Sequence, residues 1–384
     1  MEMEMSDIHI PEYLVEDMLS RLPVKSLKRF MCVSKSWCAF IQSPTFVAHH
    51  LHRSRRTGTN AFLLVKRLQD QITRKNVVLS LIPDHSHDDH EVLDVPLNLG
   101  YLPFFKHENS QNLYILRACI NGIVCLYNDR FDGNIIFWNP AMREFKVLPA
   151  RPICCPPQAD YDVQGLGFGY DPKADDYKLV RTVYIWEVHG PLYPLLIEVY
   201  SLRTDSWRKI DPVLKVYPSR WGRPGSFCSE LYLQGAYHWL LCKSILAFDM
   251  SEEVFRLMPL PDLGSLWDVK IEKSIAVLND SIALIIRLVE GTEKSFDIWV
   301  MCEYGVQESW TKRFKIGPVS GVNRPLGFGK NGQFLLVDDN GELVSCNLDC
   351  KQIKNLHVKG DIPHSLQVIN YVETLVSVQG EKLA

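Results

Sequence analysis

Few residue types in this chain could do covalent chemistry, and their spacing argues against most of it. Gly165-Leu166-Gly167-Phe168-Gly169 has the composition of a glycine-rich phosphate loop. Such a loop needs a strand before it and a helix after it, so that free backbone N–H groups meet the anion. Here Tyr170-Asp171-Pro172 follows, which is a turn, and Gly327-Phe328-Gly329 repeats the theme. These glycines read as points where a strand lies close to a neighbour. His85, His87 and His90 stand among Asp84, Asp88, Asp89 and Glu91. Imidazoles beside carboxylates are zinc chemistry, but no helix or hairpin fixes a tetrahedral geometry, so a solvated acidic loop is expected. Cys154-Cys155-Pro156-Pro157 has neither a metal nor a redox spacing. His238 sits in an aromatic strand, and Asp205 and Asp249 read as turn formers rather than paired carboxylates. Gly-x-Ser-x-Gly, His-Glu-x-x-His and an ordered Cys–His set are all missing from the sequence. The expectation is a protein with no catalytic residue, no metal and no cofactor.

Bulk properties point the same way. The 384 residues suffice for one large or two ordinary domains, and 46% apolar with 23% charged residues is a folded composition. A net charge of −3 gives no electrostatic case for nucleic acid or an anionic membrane. No apolar run reaches the roughly 18 residues of a membrane span. The eleven cysteines lie mostly in apolar runs, as at Cys125, Cys242 and Cys302. That usage suits buried free thiols in a reducing compartment, so cytosol or nucleus is the expected location.

The elements divide into two kinds. From Pro11 to Ile41 the apolar spacing is helical: Leu14, Met18 and Leu22 share one face. Pro11 fits a first helical turn, and Pro23 stops that helix. Ser26 can cap a second helix carrying Leu27, Phe30 and Met31, and Ser34 a third carrying Trp37, Phe40 and Ile41. Ser43-Pro44 ends or restarts the run, and Phe46, Val47, His50 and Leu51 suggest one more short helix. A unit of roughly 40 residues cannot bury all this apolar surface, so part of it should meet a partner or the rest of the chain.

The stretch from Ile10 to Leu27, followed by Arg29-Phe30 and Cys32-Val33-Ser34-Lys35-Ser36-Trp37, resembles an F-box. The matching positions are Pro11, Leu14, Leu19, Leu22, Pro23, Leu27, Val33 and Trp37, with Ile10 where leucine is usual and Tyr13 where an acidic residue is frequent. The resemblance implies that these residues dock a Skp1-like adaptor and, through it, cullin and RING subunits of a ubiquitin ligase.

Beyond the basic stretch 53–59 the pattern changes to short strands. Strand, turn, a strand ending in Asn, Asp or Ser, turn and a further strand recur, with Phe145, Trp207, Phe255, Trp310 and Ile353 in equivalent places. Their spacing of about 40 to 60 residues is that of four-stranded propeller blades, in which stacking buries the aromatics between sheets. Residues 62–82 could begin a further blade, with 366–369 and 374–378 closing the ring. The fold class expected is a small all-α N-terminal unit (8–52), a solvated linker (53–59) and a large all-β domain (60–380) of propeller-like or kelch-like antiparallel repeats.

Ile136-Phe137-Trp138-Asn139-Pro140-Ala141, residues 165–171, Asp176-Tyr177-Lys178-Leu179-Val180-Arg181, Glu198-Val199-Tyr200-Ser201-Leu202 and Asp205-Ser206-Trp207 resemble the plant F-box-associated domain. The segments around Trp207 and Trp310 are similar to S-locus F-box proteins and their relatives, whose second domain recognises secreted ribonucleases in self-incompatibility. Together the resemblances imply a non-enzymatic substrate receptor whose β domain binds a protein for ubiquitination. An adaptor-bound protein that does not degrade its ligand and a propeller enzyme are the alternatives. Loops 84–94, 151–162, 186–194 and 216–229 vary most between repeats, and two or more are expected to form one surface distant from the F-box. Their candidate contacts are Asp160, Tyr161, Asp162, Trp186, Tyr193, Tyr217 and Trp221, aromatics beside charge as at protein hot spots.

Overall fold

A computed structural model describes residues 11–57, 61–71, 74–83, 95–103, 113–128, 135–154, 156, 158–187, 195–211, 229–264, 271–290, 293–361 and 365–379. The chain begins with α1 (Glu12–Ser20), α2 (Val24–Phe30), α3 (Lys35–Gln42) and α4 (Pro44–Thr57). Ser34 caps α3 as expected, its side chain accepting the Trp37 backbone N–H at 3.2 Å. The second helix begins earlier than expected. Pro23, not Ser26, is its N-cap, because a proline loses nothing where no intrahelical N–H bond is made. Ser43 restarts the run, its hydroxyl accepting the Phe46 N–H at 3.3 Å. The stretch expected as a solvated linker is helical through Thr57. None of the described helices is long and apolar enough to cross a membrane.

The strands build a six-bladed propeller of four-stranded antiparallel sheets. Blade 1 holds β1 (Ala61–Gln71), β2 (Arg74–Pro83) and β3 (Val95–Pro96); blade 2 holds β4 (Leu113–Ile120), β5 (Ile123–Asn128), β6 (Ile136–Asn139) and β7 (Glu144–Val147). Blade 3 holds β8 (Asp160–Asp171), β9 (Asp176–Trp186), β10 (Leu196–Ser201) and β11 (Ser206–Ile210). Blade 4 holds β12 (Glu230–Leu233), β13 (Ala236–Leu240), β14 (Ser244–Asp249) and β15 (Phe255–Pro259). Blade 5 holds β16 (Glu272–Leu278), β17 (Ser281–Glu290), β18 (Glu293–Met301) and β19 (Trp310–Val319). Blade 6 holds β20 (Val322–Phe328), β21 (Phe334–Asp338), β22 (Glu342–Cys346) and β23 (Ile353–Lys359). The last strand, β24 (Gln367–Val372), returns to blade 1 and pairs with β1 from Lys66↔Gln367 to Ala61↔Val372, which closes the ring. Residues 374–378 are not the second closing strand that was expected. They run irregularly, held by Asn139 Nδ2, which donates to Thr374 O at 3.1 Å and Val376 O at 2.8 Å.

The recurring aromatic starts the outermost strand of its blade and faces the end of the strand before it. Trp138↔Phe145, Tyr200↔Trp207, Phe248↔Phe255, Met301↔Trp310 and Cys346↔Ile353 are direct cross-strand partners. Tight cross-strand pairs stabilise a sheet, and the ring centroids of Tyr200–Trp207 and Phe248–Phe255 lie 5.4 and 4.8 Å apart. Ile353 departs from the expected burial. It is exposed, because its partner Cys346 is too small to cover it. Successive blades enclose apolar clusters between their faces: blades 1 and 2 around Trp138 and Tyr371, 4 and 5 around Trp310, 5 and 6 around Phe296 and Phe334. The structural reading of the glycines holds in blade 3, where a Cβ on Gly167 would come within 2.7 Å of the Trp239 ring. The described cysteines are all free. Cys125 is buried as expected, and so is Cys346, but Cys242 and Cys302 are exposed, since they fall just beyond strand ends.

Candidate functional site

The four helices sit on one face of the propeller. Leu19, Val24, Leu27, Ile41 and Phe46 form one apolar cluster with Met142 of the β6–β7 turn and Leu375 of the C-terminal segment. Lys28 Nζ donates to Met142 O, and Arg55 donates to Asn121 Oδ1 in the β4–β5 turn. Lys330, in the β20–β21 turn, donates to Arg55 O at 3.1 Å. Arg53 pairs with Asp17 at 2.9 Å and His49 with Glu16 at 3.2 Å, so α4 braces α1. His50 is fully buried and contacts Leu22 O through Nε2 at 3.1 Å. Burial holds its imidazole below the ordinary value.

This packing sorts the eight residues expected at the adaptor surface. Leu14 is 42% and Val33 67% exposed. Pro11 and Pro23 are exposed, and Leu22 and Trp37 are half-buried. Leu19 and Leu27 are placed differently. Both are buried in the seam against the propeller, because that side of the helices covers Met142 and Leu375. Two further side chains of the helical unit are exposed: Tyr13 at 69% and Met18 at 50%. Helical spacing puts Leu14 and Met18 one turn apart on the same stripe, and that spacing was the signal available for Met18. Tyr13, Leu14, Met18 and Val33 leave apolar surface in water on the helical unit.

The opposite face of the propeller carries the second candidate surface. The β4–β5 and β6–β7 turns meet the helices, so antiparallel alternation sends the ends of β5 and β7 and the starts of β4 and β6 to the other side. In blade 3 that side is the end where Asp160 pairs with Trp186. Residues 160–162 and Trp186 are therefore not loop residues. They extend β8 and β9, the former 12 residues long, past the body of the blade. Register pairs Asp160 with Trp186 and Asp162 with Tyr184, which puts two carboxylates and two aromatics on one side of this tip. Asp160, Asp162 and Trp186 are exposed. Tyr161 lies on the other side with Val163 and Ile185, packed against the core. Tyr193, Tyr217 and Trp221 lie outside the described residues, as do loop 84–94 with its histidines and most of loop 216–229.

The remaining candidates for chemistry have structural partners. Asp249 Oδ1 accepts the N–H groups of Ser251 and Glu252, both at 2.9 Å, an Asx turn. Asp205 has φ 48°, accepts the Tyr200 hydroxyl at 2.8 Å and pairs with Lys146. His238 is buried with Nε2 2.6 Å from the Tyr304 hydroxyl, and burial pushes its imidazole down to about 4. Among the described residues no group of His, Cys, Asp and Glu could hold a metal ion.

Residues 75–378 match the F-box associated beta propeller domain, and residues 8–49 match the F-box domain. Two relatives from Arabidopsis thaliana align over nearly the whole chain. F-box protein CPR1 is 28% identical over 395 residues, spanning 96% of this chain and 88% of its own length. An F-box/kelch-repeat protein is 27% identical over 377 residues, spanning 96% of each chain.

Proposed function

The chain belongs to the F-box associated beta propeller family, and from that premise we propose that it is the substrate receptor of a Skp1–cullin–F-box ubiquitin ligase. The observation that carries the proposal is the exposed apolar surface of Tyr13, Leu14, Met18 and Val33 on a helical unit otherwise packed onto the propeller. Water-exposed apolar side chains on so small a unit favour association with another protein. The adaptor surface in this reading is Pro11, Tyr13, Leu14, Met18, Leu22, Pro23, Val33 and Trp37. The target would be bound on the far face, where the blade 3 tip offers Asp160, Asp162, Tyr184 and Trp186. Aromatics beside carboxylates suit a protein partner with basic residues. The chain would do no bond-making itself; it would raise the effective concentration of target lysines near a charged E2 enzyme.

A secreted-type ribonuclease is the target that the S-locus likeness implies. That likeness is carried by the segments around Trp207 and Trp310, and both tryptophans are engaged in blade packing. They support the fold and carry no information about the target.

The test is co-expression with a Skp1-like adaptor. Wild type should co-purify with it, and Leu14→Asp with Met18→Asp should abolish co-purification while leaving the melting temperature unchanged, because both side chains already face water. Undiminished co-purification by this double variant would refute the adaptor surface. With an adaptor complex in hand, reconstituted ubiquitin transfer to proteins captured by the propeller separates a degradative receptor from a non-degradative one. Capture of a partner that receives no ubiquitin would overturn the ligase reading.

A further inference from the structure

The inner strands leave a cavity of about 230 Å³ on the propeller axis, lined from β4, β12, β16, β20 and β24. Its wall is a near-even mix of polar and apolar surface, with Ile275, Leu326, Leu335 and Val368 contributing the aliphatic part. Two opposite charges face the same space. Glu230 is 4% exposed, and its carboxyl lies beside the Arg117 backbone N–H. The Arg117 guanidinium is half-buried and donates one Nη to Leu326 O. Gly327, with φ 127°, lines the cavity beside that guanidinium in a backbone conformation that favours glycine. Among the described residues no ion pair joins Glu230 to Arg117 or to any other cation.

A buried carboxylate with no cation in direct contact is costly, and apolar side chains of the same volume would stabilise the ring better. Burial indeed pushes the Glu230 carboxyl up to about 7, even though the Arg117 charge and the Tyr237 hydroxyl beside it pull the other way. Two other polar groups of the wall bond within the protein: the Tyr232 hydroxyl donates to Tyr170 O at 3.1 Å and Asn370 Nδ2 to Phe328 O at 3.1 Å. Glu230 and Arg117 are the charged groups among the residues that line it. A ligand that completes both must carry an ammonium and a carboxylate on an aliphatic body small enough for the cavity.

We propose that the axial cavity is a binding site for a small aliphatic zwitterion of the free α-amino acid class, its ammonium on Glu230 and its carboxylate on Arg117. The site does not depend on the ligase reading, since it involves neither the helical unit nor the blade 3 tip. The probes are L-leucine, 4-methylpentanoate, which lacks the ammonium, and 3-methylbutylamine, which lacks the carboxylate. Titration calorimetry on the full chain should show saturable binding of L-leucine, with each singly charged analogue weaker by about tenfold or more, the worth of one charged hydrogen bond. Glu230→Gln keeps the shape and the neutral form's bonding, so it should keep the wild-type melting temperature and lose the L-leucine signal. If Glu230→Gln fails to fold, Arg117→Lys serves, with the discrimination between L-leucine and 3-methylbutylamine reduced. No saturable binding of L-leucine, equal binding of either analogue, or unchanged binding by a folded Glu230→Gln would each overturn the proposal.

Discussion

Lys178 joins blades 3 and 4 through an ammonium that water barely reaches. It lies 2.7 Å from Asp171, 2.8 Å from Glu253 and 2.9 Å from Met250 O. Removing one partner of such a set leaves buried charge uncompensated, so Lys178→Met should destabilise by about 3–5 kcal/mol in chemical denaturation. A loss within about 0.5 kcal/mol, the range of an ordinary surface substitution, would show the network to be dispensable. Burial alone would raise the Asp171 carboxyl, but the bonds from Lys178, Ser251 and two backbone N–H groups outweigh it and hold it at about 2. Its contribution is complete above the ordinary 3.8 and is lost as pH falls toward 2. His238 acts at milder pH. Its folded value of about 4 lies below the ordinary 6.5, so the unfolded chain binds the extra proton between them and stability falls as pH drops from 6.5 to 4. His238→Gln should flatten the melting-temperature profile across that window; an unchanged slope would assign the acid sensitivity elsewhere. Single residues were legible where a local bond decides them, as at Ser34 and Asp249. The inward turn of Leu19 and Leu27 was not, because periodicity shows that apolar residues share a face but not what covers it.

The outer strand of a blade is latched to its neighbour. Trp207 Nε1 donates to Pro149 O at 2.9 Å, just past the end of blade 2, and Trp310 Nε1 donates to Pro259 O at 3.1 Å, at the end of blade 4. Trp310 is also buried. Trp310→Ala should therefore cost about 3–5 kcal/mol, while Trp310→Phe, which loses mainly the latch, should cost about 1 kcal/mol. Equal losses in the two variants would mean that the latch rather than the ring area holds blade 5 to blade 4. In blades 2, 4, 5 and 6 the three outer strands could be read from the sequence and the innermost one could not. β12 has only four residues, β20 carries Pro325 and Gly327, and β4 carries Arg117, so none shows clean alternation. Those interruptions have a physical origin, since the inner strands crowd the axis and line its cavity. The last turns of α4 were missed for a related reason: its buried stripe is Phe46, His50 and Ser54, too polar to register as a helix face.

Across the whole molecule the helical unit is fixed to the ring by both apolar packing and hydrogen bonds. Met142→Lys should leave blade 2 intact, since its side chain lies in the seam and not between blades, yet it should loosen the helices. Hydrogen exchange is the measurement. Faster exchange in α1 and α2 with unchanged protection of β5 and β6 is expected, and uniform protection throughout would show that the seam does not hold the helices. A fixed mount keeps the far face of the propeller, with its blade 3 tip, at one distance and angle from the exposed surface of α1. Propeller repeats were readable from the spacing of the aromatics, but the number of blades was not. One blade is shared between the two ends of the domain, so neither end shows a whole repeat.

That shared blade has a consequence for how the chain is made. β1 leaves the ribosome early, and its partner β24 follows roughly 300 residues later, about 15–60 s at ordinary synthesis rates. Until then the edge of β1 has no partner, and an unpaired edge invites wrong pairing. Leu375, which completes the apolar seam beneath the helices, arrives with the same final segment. Ring closure and the apolar seam beneath the helices are therefore both completed by the one stretch that carries β24 and Leu375, so a chain cut before it keeps an open propeller and an incomplete seam.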